Sequence, residues 1–157
     1  MVNRIQDSPL WEYFDEERQP VEICVLNVEA ARAKWHEHFG AGSRSYFDLP
    51  NDAWPITAHK SEIGSWIESL NSGHFDVFAR VLADKTAWSD STIVLFFANA
   101  SIGLRCSWAE FKSHWSSFLT LESDGALVVP DEHKMQCILF TALGEARFLQ
   151  AFPEVSR

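Results

Sequence analysis

His36-Glu37-His38 is the most metal-like string in this chain. On a strand, residues i and i+2 share a face, and two imidazoles so placed reach one ion. On a helix the same pair lies about 200° apart and cannot. The surrounding residues read as helix, which makes the two histidines solvated flanks of a stripe through Trp35. The His-Glu-x-x-His spacing of a zinc helix is absent. No metal site and no cofactor are expected.

Cys106 precedes Ser107, and a thiol near a helix N-terminus has a lowered pKa. With His114 or His133 close in space it would form a Cys–His nucleophile. The competing reading is structural, since Cys106 at N′ and Phe111 at N4 hold the two positions of a hydrophobic staple. The paired acids Asp131-Glu132 and Asp15-Glu16-Glu17 would do acid–base work only if they converged on a cleft. No GxGxxG, GxxxxGK[ST] or GxSxG occurs. The expectation is a protein that is not an enzyme.

The elements that must position these residues come from periodicity and caps. Ser8-Pro9 starts a short N-terminal helix carrying Leu10, Trp11 and Phe14, and Pro20 stops it. Residues 21–26 read as a strand. Asn27 caps a helix at 28–39 whose core stripe is Val28, Ala31, Trp35 and Phe39, with Gly40 past its end. A long loop covers 40–55. Ile63, Trp66, Ile67 and Leu70 at i, i+3, i+4, i+7 predict a helix over 58–71. A further helix over 75–84 sets Val77, Phe78, Val81 and Leu82 together.

From Ser91 onward the pattern changes. Strands are predicted at 92–97 and 102–106 around Asn99-Ala100-Ser101. Ser107-Trp108-Ala109-Glu110 is a capping box opening a helix at 108–119. Strands at 126–129, 136–141 and 146–150 follow. The expected fold is a single α+β domain over 1–157: an acidic segment 1–22, a mainly helical part 23–90, and a sheet-forming part 91–152 with one helix. The sheet is expected to be antiparallel in β-β-α-β-β-β order, with helices on one face.

Composition narrows the partners. The chain has 157 residues, with 13 Lys plus Arg against 22 Asp plus Glu, a formal charge of −9. No run of three basic residues exists, so direct binding to nucleic acid or to an anionic membrane is not expected. No stretch nears 18 uninterrupted apolar residues, and Met1–Asp7 holds no apolar run, so neither a span nor a secretory signal is expected. Cys24, Cys106 and Cys137 are odd in number, far apart and without a CxxC, which predicts reduced thiols and a cytoplasmic location.

Residues 1–22 carry Asp7, Glu12, Asp15, Glu16, Glu17 and Glu22 against Arg4 and Arg18. Of seven tryptophans, Trp35, Trp66, Trp108 and Trp115 sit on core stripes, while Trp11, Trp54 and Trp88 fall near loops or the acidic segment. Aromatics ringed by carboxylates suit a cationic partner; the structural alternative is that they close the edges of the core. The candidate partner-binding residues are Trp11, Glu12, Asp15, Glu16, Glu17, Asp52 and Trp54.

A strand ending Phe96-Phe97 leads into Cys106-Ser107-Trp108-Ala109-Glu110-Phe111-Lys112-Ser113-His114-Trp115-Ser116-Ser117-Phe118-Leu119, followed by Leu139-Phe140 and Gly144-Glu145-Ala146-Arg147-Phe148. This part resembles small uncharacterised bacterial domains with a W-x-x-F-x-x-x-W-x-x-F-L helix between hairpins. It is also similar to the small acidic immunity proteins encoded beside bacterial contact-dependent toxins. The final strand departs from the first pattern, reading Arg147-Phe148-Leu149 where Gly would follow the aromatic. The resemblance implies no catalytic residue. It implies a partner: a basic protein such as a toxin domain, whose active site this chain would occlude. The alternative is a small-molecule-binding domain or enzyme with a pocket near Cys106 and His114.

Overall fold

In a computed structural model, which describes residues 2–14, 22–121, 125–132 and 135–152, the Asn27 side chain accepts the Ala30 N–H at 2.8 Å and starts helix α1, Val28–Phe39. The Gly40 N–H closes that helix on the His36 carbonyl at 2.9 Å. Ser107 does the same work later in the chain, accepting the Glu110 N–H at 3.1 Å and opening helix α5, Trp108–Leu119. Both helices keep their predicted bounds, but Val28, placed on the core stripe of α1 by its spacing, is exposed, and Ala31, Trp35 and Phe39 carry that stripe.

The protein is α+β, built on one antiparallel sheet of eight strands: β1 Val2–Arg4, β2 Cys24–Leu26, β3 His59–Ser65, β4 Ile93–Asn99, β5 Ile102–Ser107, β6 Gly125–Pro130, β7 Gln136–Thr141 and β8 Glu145–Gln150. Their spatial order is β1-β2-β5-β4-β6-β7-β8-β3. The C-terminal half runs β-β-α-β-β-β as its sequence predicts. The expected order is nevertheless incomplete, because three strands from the first half join the same sheet at its two edges.

The helices do not share one face, which corrects a second expectation. Along β4, alternate residues point to opposite sides, and both sides are buried. Val94, Phe96 and Ala98 pack with Leu104, Val128, Ile138 and Phe140 beneath α5 and helix α4, Phe75–Thr86. Leu95 and Phe97 pack with Leu127, Val129 and Leu139 beneath Trp35 and Phe39 of α1 and the 46–58 segment. That segment holds a 3-10 turn, Tyr46–Asp48, and the short helix α2, Trp54–Thr57. A sheet covered on both faces explains why β4 and β6 read as continuous apolar runs and not as alternating ones.

The predicted helix 58–71 divides into β3 and helix α3, Trp66–Ser72. Its four spaced apolar residues do not lie on one helix: Ile63 is the buried residue of an edge strand, while Trp66, Ile67 and Leu70 belong to α3. Val77, placed with the core by its spacing in α4, is exposed. Within the described residues, no helix is long and apolar enough to cross a membrane.

Candidate functional site

The N-terminal segment is a 3-10 turn, Pro9–Phe14, and Ser8 holds its start by accepting the Leu10 N–H at 3.2 Å. Phe14 is fully buried, edge-on to Phe118 of α5 at 5.1 Å, and Trp11 stacks over it at 6.4 Å. With those two rings holding the turn to the core, Glu12 and Tyr13 stay outside; Tyr13 is 41% exposed.

Opposite them, Gly73 ends α3 with φ +73, a left-handed conformation that glycine adopts without steric cost. The chain then turns into α4 at Phe75. The Phe75 carbonyl accepts the Trp115 indole N–H at 3.0 Å, and its ring lies 5.8 Å from that indole, 43% exposed. Between the two walls lies an open groove of about 590 Å³, with Glu12 and Tyr13 on one side, Leu70 and Phe75 on the other, and Ser113 and Ser116 of α5 along its floor. Glu12 has no ion pair among the described residues. Asp76 is exposed beside Phe75.

Aromatic walls with a free carboxylate and hydroxyls recognise one chemistry well, a cationic side chain with an apolar stem. Such a group gains from the carboxylate, the ring faces and the burial of its methylenes together.

The residues singled out by sequence do not converge. Trp11 and Glu12 stand on the α4–α5 face, with Trp11 half-buried as packing. Trp54 is half-buried on the α1 face, its indole donating to the His38 carbonyl at 2.7 Å and its ring 6.0 Å from Phe39; Asp52 is exposed near it. The two pairs thus sit on opposite sides of the sheet. Asp15, Glu16 and Glu17 lie outside the described residues, as does His133. Tyr13, Leu70 and Phe75 were missed by sequence reasoning. The available signal was that Phe75 falls off the inner stripe of α4 although it is a large apolar residue.

Cys106 is buried, and burial with the nearby Glu110 carboxylate pushes its thiol far above the ordinary range. It packs in the same core cluster as Phe111, the staple arrangement. A thiol held protonated is a poor nucleophile. His114 is buried too, with Nε2 3.4 Å from Glu110. A groove of about 530 Å³ is lined by Cys24 and Cys106, but His114 is not part of its wall. Native protein treated with a thiol reagent at mild alkaline pH should therefore show fast labelling at the half-buried Cys24, with Cys106 and Cys137 labelled only after unfolding. Fast labelling of Cys106, read by peptide mass spectrometry, would contradict this.

His36 and His38 are on α1 as expected and His36 is exposed, but His38 is buried where a solvated flank was expected, and Glu37 pairs with Lys34 at 3.5 Å. Asp131 is occupied by Lys34 at 2.9 Å and Arg105 at 3.7 Å. Among the described residues no group of three His, Cys, Asp or Glu is placed to hold a metal ion.

A family model described as a protein of unknown function, DUF2947, matches residues 12–148. No curated protein matches the chain, and no solved structure does.

Proposed function

We propose, for a chain that belongs to the DUF2947 family of proteins of unknown function, a role in binding and not in catalysis. It is a cytoplasmic inhibitor of the immunity type, which covers the basic active site of a cognate bacterial toxin. The observation that carries this reading is the Glu12–Tyr13–Phe75 groove, where two exposed aromatics frame a carboxylate with no ion pair among the described residues. Isolated exposed apolar residues are ordinary, but aromatics paired across a groove beside a free charge have the make-up of an interface hot spot. The formal charge of −9 adds long-range attraction toward a basic partner and speeds the encounter.

The mechanism is occlusion. The turn Pro9–Phe14 and the start of α4 are held by Phe14 and by the Trp115–Phe75 hydrogen bond, so the surface is pre-formed and loses little entropy on docking. A lysine or arginine of the toxin enters between Tyr13 and Phe75 and meets Glu12. The acids Asp15, Glu16 and Glu17 follow Glu12 in the sequence and extend the negative charge.

The test is a tagged pull-down from the native organism at low and high salt, read by mass spectrometry. One stoichiometric basic partner, released by salt, is expected. Reversing Asp15, Glu16 and Glu17 to lysine should weaken the complex several-fold through slower association, while Phe75→Ala should speed dissociation. A partner that binds all these variants with unchanged affinity would remove this surface from the reading.

A further inference from the structure

On the other face of the molecule a groove of about 750 Å³ has the opposite electrostatic character. It is bounded by α1, by the loop that follows it, and by the turn between β4 and β5. Arg32 and His36 come from the helix, Arg44 from the loop, and Asn99 and Ser101 from the turn. No aspartate or glutamate lines it, in a chain with 22 of them.

Neither arginine is spent on a salt bridge among the described residues, a state they share with Arg4, Lys60, Arg80 and Lys85. Lys34, Arg105, Lys112 and Arg147 all form salt bridges, to Asp131, Asp90, Glu62 and Glu145. Arg32 and Arg44 form none among the described residues. Asp48 is the carboxylate nearest in sequence, and it is engaged with backbone. It accepts the Ser45 N–H at 2.9 Å and the Arg44 N–H at 2.8 and 3.0 Å, which hold its carboxyl below the ordinary range.

The walls are fixed before any ligand arrives. The Arg32 Nε–H donates to Ser101 Oγ at 3.2 Å, the Ala100 N–H donates to the Arg44 carbonyl at 2.8 Å, and the Trp35 indole ties Ser43 at 2.9 Å. Asn99 Oδ1 accepts the Ser101 N–H at 2.8 Å, leaving its amide N–H₂ as a donor. The groove therefore offers two guanidinium forks, an imidazole, an amide and hydroxyls, a set made almost wholly of donors. Such a set matches an oxyanion, which only accepts, and guanidinium forks bind carboxylate and phosphate oxygens in pairs.

We infer that this groove binds a small molecule bearing a phosphate or carboxylate group, held by Arg32 and Arg44. The site is separate from the Glu12–Tyr13–Phe75 groove, on the opposite face of the sheet, and does not depend on it. Isothermal titration at low salt with pyrophosphate, and in parallel with citrate, tests the inference. Saturable binding of pyrophosphate alone assigns a phosphate ligand, of citrate alone a carboxylate ligand, and of both a general oxyanion site. Arg32→Gln and Arg44→Gln should each weaken the bound probe by roughly tenfold or more, with an unchanged melting temperature. Arg44→Lys, which keeps the charge and loses the fork, should fall between. Lys85→Gln, on α4, should bind as the parent does. Absence of saturable binding for both probes overturns the inference, and so does binding that survives the Arg32→Gln, Arg44→Gln double variant.

Discussion

Replacing Phe111 by alanine is expected to lower the unfolding free energy by about 3–5 kcal/mol, the range for large aromatic deletions in a packed core. Phe111 is fully buried and is one of the rings, with Phe118, through which α5 packs on the sheet. It lies 5.6 Å from Trp108 in a near-parallel stack, 4.8 Å from Phe118, 6.2 Å from Phe96 on β4 and 5.9 Å from Phe140 on β7. Truncation removes the transfer energy of the ring and leaves a space that four rigid neighbours cannot collapse into. Small domains are stable by only about 5–15 kcal/mol, so the variant should sit near the edge of folding. Urea denaturation checks this: the midpoint should fall steeply with an unchanged slope. A loss below about 1 kcal/mol would mean that α5 does not depend on this contact.

The second large effect is expected at Gly144, in the tight turn between β7 and β8. Its φ is +98, and a Cβ built there would come 2.3 Å from Ile67 Cγ2 and 2.7 Å from Ile67 Cβ. The Gly144 carbonyl accepts the Ile67 N–H at 3.2 Å and the Ser65 hydroxyl at 3.2 Å, so the turn also anchors the start of α3. Gly144→Ala therefore carries a left-handed backbone penalty and a steric one, together about 2–5 kcal/mol. The two parts separate in a double-mutant cycle. Ile67→Gly removes both the Cγ2 and the Cβ contact but leaves the backbone term, so Gly144→Ala should cost less in the Ile67→Gly background, with coupling of about 1 kcal/mol or more. Equal costs in both backgrounds would show that the close approach is relieved without expense.

These two positions also show what the residues reveal on their own. Helix α5 was legible because the Ser107 cap and the spacing of Trp108, Phe111, Trp115 and Phe118 all point to the same element. β7 was legible as an apolar run of helix-excluding length. Strand β3 was not, since it is an edge strand with one buried residue, Ile63, and a bulge between Glu62 and Gly64. With little alternation to read, the apolar residues of the following helix extended their period backward over it. β1, of three residues, is too short to carry a period at all. The unbroken apolar runs of β4 and β6 encode the burial of both sheet faces, whereas the element order alone leads to the expectation of helices on one face.

The candidate site was harder still. Glu12 was identified by charge, and its companions Tyr13 and Phe75 were not, because what distinguishes them is that their neighbours fill the core and leave them outside. Whether an aromatic is inside or outside depends on which of several adjacent ones wins the buried position, as Phe14 does over Tyr13 and Phe78 over Phe75. That competition is settled by tertiary packing. Trp11 and Trp54, set apart in the sequence because they fall near the acidic segment and a loop, are both half-buried and pack against the two core clusters.

The placement of β1, β2 and β3 at the two margins of the sheet bears on how the molecule is assembled during synthesis. β2 finds its partner in β5 and in turn pairs β1, and β3 finds its partner in β8, with Glu62 and Arg147 joined across 85 positions of sequence. The strands β4–β8 pair with near neighbours in the chain, the longest step being β4 to β6 across β5 and α5, and close their loops cheaply. The early strands emerge from the ribosome first and must wait, unpaired, for a template made last. The expected order of events is a C-terminal nucleus that then captures both N-terminal margins, and the nascent first half is the stretch for which a holding chaperone matters most.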